Sequence, residues 1–168
     1  PPRDLDLFFR DPHHLEAVAS RILARGGRAQ HDRPPFHRSM VWQGLTIELA
    51  YNVWCDSLAD VLHRFDLGPS MVGVEWRLGT ARAEVDALAR ASIERGMVLM
   101  HRDCENTKYA LVSIERARCY AERLGMCDDA EGLARLWTVL AEADPVEQRR
   151  MIERYRRVGV RDGSIEAR

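Results

Sequence analysis

Arg3-Asp4-Leu5-Asp6-Leu7-Phe8-Phe9 is the stretch on which the reading of the fold turns. Two carboxylates are separated by one apolar residue, and more apolar residues follow. In a β-strand residues i and i+2 share a face, so Asp4 and Asp6 project together while Leu5 and Leu7 face a core. Paired carboxylates on a rigid strand suit Mg²⁺, a hard cation usually held by one or two carboxylates plus substrate phosphates. The plainer reading is an exposed strand face that carries two acids.

Working outward, Asp11-Pro12 supplies a helix N-cap and first position. Leu15, Val18, Ala19, Ile22 and Leu23 then recur at helical spacing as far as Arg25, and Gly26-Gly27 ends the helix. Residues 28–38 are polar, contain a Pro pair, and read as a loop. Ser39–Trp42 and Leu45–Tyr51 read as strands about Gln43-Gly44. A short helix from Asp56 or Ser57 to His63, a turn at 65–69 and a strand at Met71–Trp76 follow. The spacing of Val85, Leu88 and Ala89 predicts a helix over Ala81–Glu94. Val98–His101 reads as a short strand, and Tyr109–Leu124, Ala130–Glu142 and a last helix opened by Asp144-Pro145 complete the chain. The order gives an α+β fold, a mixed sheet flanked by helices with a helical C-terminal part. The expected division is an α+β domain over 1–126 and a helical extension over 127–168.

Composition excludes several classes. The chain has 168 residues, 46% hydrophobic and 30% charged, with a net charge of −1. That is ordinary for a globular chain, and bulk charge does not mark a nucleic-acid binder. Of its cations 24 are Arg and one, Lys108, is Lys. Arg offers bidentate phosphate recognition, although GC-rich coding explains the bias as well. Cys55, Cys104, Cys119 and Cys127 form no CxxC and match no zinc spacing, so they read as reduced thiols of a cytosolic protein. No apolar run approaches the ~18–20 residues of a membrane span.

The opening stretch resembles the metal-binding strand of the polymerase-β-like nucleotidyltransferase superfamily, in forms related to the heads of tRNA nucleotidyltransferases and poly(A) polymerases. Pro1-Pro2-Arg3-Asp4-Leu5-Asp6 is similar to the end of that family's "Gly-Arg-x-x-x-Asp-x-Asp" stretch. Further on, Leu45-Thr46-Ile47-Glu48-Leu49, Phe65-Asp66-Leu67 and Met71-Val72-Gly73-Val74 are similar to compact nucleotidyltransferase-like proteins of bacteriophages and large DNA viruses. So is the run from Ile114 to Met126, which resembles their Arg- and Tyr-bearing helix. The resemblance covers roughly 1–126. It departs at the front, where the family's Gly-rich turn, which cradles the triphosphate with backbone N–H groups, has no counterpart in the sequence. That departure implies either a piece of a longer protein or a degenerate relative, and the retained carboxylates favour the first.

The resemblance implies Mg²⁺ on Asp4, Asp6 and Glu48, with Glu48 as third ligand or as base for the attacking hydroxyl. It implies an NTP as substrate, with Arg3, Arg116 and Tyr120 as the groups that bind it; Arg116 could reach a phosphate or clamp Asp6. The implied activity is transfer of a nucleoside monophosphate to a hydroxyl on an RNA 3′ end, a protein or a small molecule, in the cytoplasm (the host's, for a viral chain). The alternative is an inactive fold serving as a structural or host-factor-binding protein, and a weaker one is a Mg²⁺ nuclease. Glu48 otherwise faces solvent from its strand, beside Thr46 and Ala50. Asp66 reads first as a turn or cap residue. Arg102 and Lys108 flank a polar loop, His13-His14 opens the first helix, and Arg149, Arg150, Arg154, Arg156 and Arg157 interleave with Glu147 and Glu153 as a solvated basic face.

Overall fold

The computed structural model describes residues 4–33, 37–51, 55–101 and 109–159. Arg3, Arg102, Cys104, Lys108 and the tail from 160 lie outside the described residues, as do the side chains of Asp4, 31–33 and 157–159. The chain forms two compact units, Pro1–Ser57 and Leu58–Arg168.

The first unit holds β1 (Asp4–Phe9), α1 (Pro12–Ala24), β2 (Arg28–Arg33), β3 (His37–Trp42) and β4 (Leu45–Tyr51). The sheet runs β1-β4-β3-β2, with β1 parallel to β4 and the other pairs antiparallel. Asp11 caps α1, its carboxylate accepting from His13 N at 2.8 Å, and Pro12 sits in the first turn. Leu15, Ala19 and Ile22 pack against Met40, Ile47 and Leu49, with Leu7, Phe9, Trp42 and Tyr51 around them. A fully buried side chain such as Leu15 or Leu49 contributes about 1.5–3 kcal/mol. Period 2 does the rest: with Leu7, Ile47 and Met40 turned to α1, Asp6, Glu48 and Ser39 turn to the opposite face.

The β3–β4 turn is Gln43-Gly44, both at positive φ (51° and 79°), the conformation of a two-residue type I′ hairpin. It sets Trp42 opposite Leu45 and hence Ser39 opposite Glu48. One expectation fails here. Residues 28–33, read as loop, form β2. Among the described residues it is an edge strand paired to β3 alone, with a register shift between Ala29 and His31, so its polar sequence carries no apolar alternation to announce it.

The second unit holds α2 (Leu58–Leu62), a 3₁₀ turn at Gly68–Ser70, β5 (Val72–Arg77), β6 (Thr80–Val85), α3 (Ala87–Arg95), β7 (Met97–Val98), α4 (Ala110–Leu124), β8 (Cys127–Asp128), α5 (Ala130–Glu142) and α6 (Pro145–Gly159). A second expectation fails at 80–85, which is a strand and not the start of a helix. Leu78-Gly79, again both at positive φ (50° and 80°), closes a β5–β6 hairpin, and turn geometry overrides the weak helical spacing of Ala81 and Val85. The helix begins only at Asp86, whose carboxylate accepts from Leu88 N at 2.7 Å. One core gathers Leu62, Met71 and Ala89; another gathers Leu67, Val98, Met100, Ala117 and Ala121. α5 and α6 both pack on α4. Asp129 ties α5 down twice, accepting from Met100 N at 3.0 Å and from Gly132 N at 2.9 Å. Among the described residues no helix is long and apolar enough to cross a membrane.

Candidate functional site

The face of the four-stranded sheet turned away from α1 carries the acids. In the parallel β1–β4 pair Asp4 stands opposite Thr46 and Asp6 opposite Glu48. Neighbouring strands lie about 4.8 Å apart, so two in-register residues present their side chains side by side. Across the next pair Ser39 stands opposite Glu48. Asp6, Glu48 and Ser39 thus make one row across three strands.

Glu48 is held at both oxygens, in different ways. Ser39, 3% exposed, donates its hydroxyl to Glu48 Oε1 at 2.6 Å. His37 Nε2 comes within 2.5 Å of Oε2 from the more exposed side, yet no donor is aligned on that buried oxygen. A buried carboxylate oxygen without an aligned donor is costly unless something else completes it. His37 is that partner here, and two adjacent carboxylates of which one is tied only by a half-exposed histidine fit a hard cation that takes one or two carboxylates and leaves its other positions to water or phosphate. Among the described residues no three His, Cys, Asp or Glu side chains come together as a metal-holding group; the side chain of Asp4 lies outside them.

The remaining residues singled out from sequence fall elsewhere. Arg116, on α4, donates Nη1 to Asp66 Oδ1 at 3.0 Å, and Ser113 Oγ donates to Asp66 Oδ2 at 2.6 Å. Asp66, 11% exposed at its side chain, therefore binds a helix some 50 residues away and is not a turn cap. Tyr120 packs on the Leu67–Ala121 core, with the Arg123 guanidinium 5.9 Å above its ring. His13 and His14 are exposed at the start of α1, His14 Nδ1 lying 3.7 Å from Asp11 Oδ2. On α6, Arg149, Arg150 and Arg156 are exposed, while Arg154 covers the Tyr109 ring at 5.2 Å. Cys55, Cys119 and Cys127 form no disulfide among the described residues, and burial, with Glu115 and Glu122 nearby, pushes the Cys119 thiol up from its ordinary value.

Sequence reasoning missed Ser39 and His37. The signal was present for Ser39: a two-residue turn at Gln43-Gly44 fixes the pairs 42/45, 41/46, 40/47 and 39/48 by counting back. The Asp66 contacts have no local signal at all.

No family model matches the chain, and no curated protein matches it. Solved structures do. A tRNA-processing enzyme in an apo form superposes with a TM-score of 0.64 at 17% identity, over 99% of this chain and 50% of that one. A tRNA nucleotidyltransferase complexed with a primer tRNA and an incoming ATP analog gives 0.58 at 18%, over 99% of this chain and 55% of that one. The Thermotoga maritima CCA-adding enzyme complexed with tRNA gives 0.59 at 12%, over 95% and 43%. The chain spans about half the length of these proteins. Its fold is the one that these tRNA nucleotidyltransferase and CCA-adding enzyme structures share.

Proposed function

We propose that the chain is the catalytic head of a nucleotidyltransferase, moving a nucleoside monophosphate from an NTP to a hydroxyl acceptor. The observation that carries this reading is the in-register pair Asp6 and Glu48 on one face of a sheet with this fold. Asp4, two residues before Asp6 on the same strand, completes the set of acids, and Arg3 beside it is assigned to the phosphates. Mg²⁺ held by these carboxylates would neutralise the triphosphate and lower the pKa of the attacking hydroxyl.

The chain's own part is positioning. A sheet fixes its carboxylates to within the tolerance that in-line transfer demands, because neither strand can move without breaking the ladder. Glu48, carrying one oxygen without an aligned donor, is the group suited to orient the acceptor hydroxyl or share the cation. The solved structures similar to this chain include complexes with primer tRNA, ATP and CTP. An RNA 3′ end is accordingly the first acceptor to try, with a protein hydroxyl second.

The test is label transfer from each NTP to total RNA or protein in the presence of Mg²⁺, with Asp4→Asn/Asp6→Asn alongside. Transfer lost in the double variant supports the enzyme and reports its base and acceptor. Absence of both transfer and Mg²⁺-dependent NTP binding would overturn it in favour of a fold kept for binding.

A further inference from the structure

We infer that Ser39 is the positioning residue of this site, holding the Glu48 carboxylate in one orientation through its Oε1. The inference rests on the reading of Asp6 and Glu48 as a cation-binding pair. A glutamate has three side-chain torsions, and fixing it costs up to about 2 kcal/mol in rotamer freedom. Ser39 supplies the restraint: it is fully inside the sheet layer at 3% exposure, directly opposite Glu48 in the β3–β4 register, and its hydroxyl donates to Oε1 at 2.6 Å. A hydroxyl bonded to a carboxylate at this length is a charge-assisted bond, roughly twice as strong as a neutral one.

The bond has a direction, and this separates positioning from simple satisfaction. With Oε1 taken by Ser39 from the interior, Glu48 presents Oε2 alone. That is the oxygen that lacks an aligned donor. His37, which pairs with it, is 40% exposed at its side chain. One oxygen is thus tethered within the sheet while the other is paired with His37, which a bound cation would displace, so the tether on Oε1 is what orients the carboxylate for a metal.

The experiment measures Mn²⁺, standing in for Mg²⁺, on the full chain by water-proton relaxation, with thermal melting beside it. Ser39→Ala changes volume little and removes only the hydroxyl. It should weaken Mn²⁺ binding about 10- to 100-fold, the usual cost of losing such a neighbour, with melting nearly unchanged. Ser39→Thr, which keeps a hydroxyl, should restore most of the affinity. Wild-type affinity in Ser39→Ala, or a loss that only tracks a lowered melting temperature, would overturn the role of Ser39 and leave the site standing. A wild-type chain that holds no Mn²⁺, with or without NTP, would overturn the reading of the site and this inference with it.

Discussion

Asp6 stands directly opposite Glu48 in the parallel pair of β1 and β4, so the sheet itself sets two acids side by side. Like charges facing across a ladder destabilise it by roughly 0.2–1 kcal/mol unless something neutral or positive intervenes. Ser39 and His37 already stand on Glu48, so the test of Asp6 is whether function falls further than stability. Asp6→Asn is expected to lower nucleotide transfer at least ~100-fold, as loss of a group acting in the transition state does, while any fall in thermal melting stays small. A parallel loss of melting temperature and activity would mean that Asp6 is there for the fold.

Asp66 presents the opposite case, a carboxylate whose role is architectural. Its two oxygens take Ser113 and Arg116 of α4, and its backbone carbonyl takes His101 N at 2.9 Å. Asp66→Ala leaves the buried Ser113 hydroxyl without its acceptor, which costs on the order of 1–3 kcal/mol. Urea denaturation should show that loss as a lower midpoint at constant slope. Because Ser113 and Asp66 touch, Ser113→Ala in the Asp66→Ala background should cost less than it does alone.

These two acids also mark what the sequence discloses and what it does not. Asp4-Leu5-Asp6 and Leu45 to Leu49 announce themselves because both strands have one buried face, and alternation then assigns every side chain. β1, β4, α1, α4 and α5 are legible for the same reason: each has an apolar stripe of the right period and a residue that starts or stops it, such as Asp11 or Gly125. β2 and β6 are not, because their described side chains at 28–30 and 80–83 are all exposed and offer no such stripe. Their pairing is decided by Gln43-Gly44 and Leu78-Gly79 and by the strands opposite. The Asp66–Arg116 pair is hidden more deeply, since it exists only after α4 has packed against the turn that carries Asp66.

The turn after Asp66 sets a tight limit on substitution. A Cβ added at Gly68 would fall against the Ser92 hydroxyl and within 2.8 Å of the Leu88 carbonyl, and Ser92 is itself committed, donating no slack because its oxygen accepts from Leu99 N at 3.2 Å. α3 must shift bodily to admit a methyl group. Gly68→Ala is expected to destabilise the second unit by about 1–3 kcal/mol, read as a lower denaturation midpoint. Gly79→Ala differs in kind: space is open around it, but φ is +80°, so its cost is backbone strain of about 1 kcal/mol and is confined to the hairpin. Amide exchange that quickens throughout α3 for the first variant, and only at β5 and β6 for the second, would establish the distinction.

The last helix carries a pH dependence of known sign. The backbone N–H of Glu147, and then that of Val146, donate to Asp144 Oδ1 at 3.0 and 2.8 Å, and together they lower the Asp144 pKa from its ordinary 3.8. A carboxyl whose folded pKa lies below its unfolded one stabilises the folded state fully above the unfolded value. That stabilisation is lost as pH falls through the lower, folded value. The first turn of α6 should accordingly stay capped at neutral pH and fray only in acid beyond 3.8. The Glu147 amide resonance should titrate with a midpoint below that value, in step with faster exchange at Val146. Asp144→Asn keeps a capping oxygen without a titratable proton, so it should preserve the helix while abolishing that midpoint. A Glu147 amide midpoint at or above 3.8 would show that the cap does not hold its charge in the folded chain.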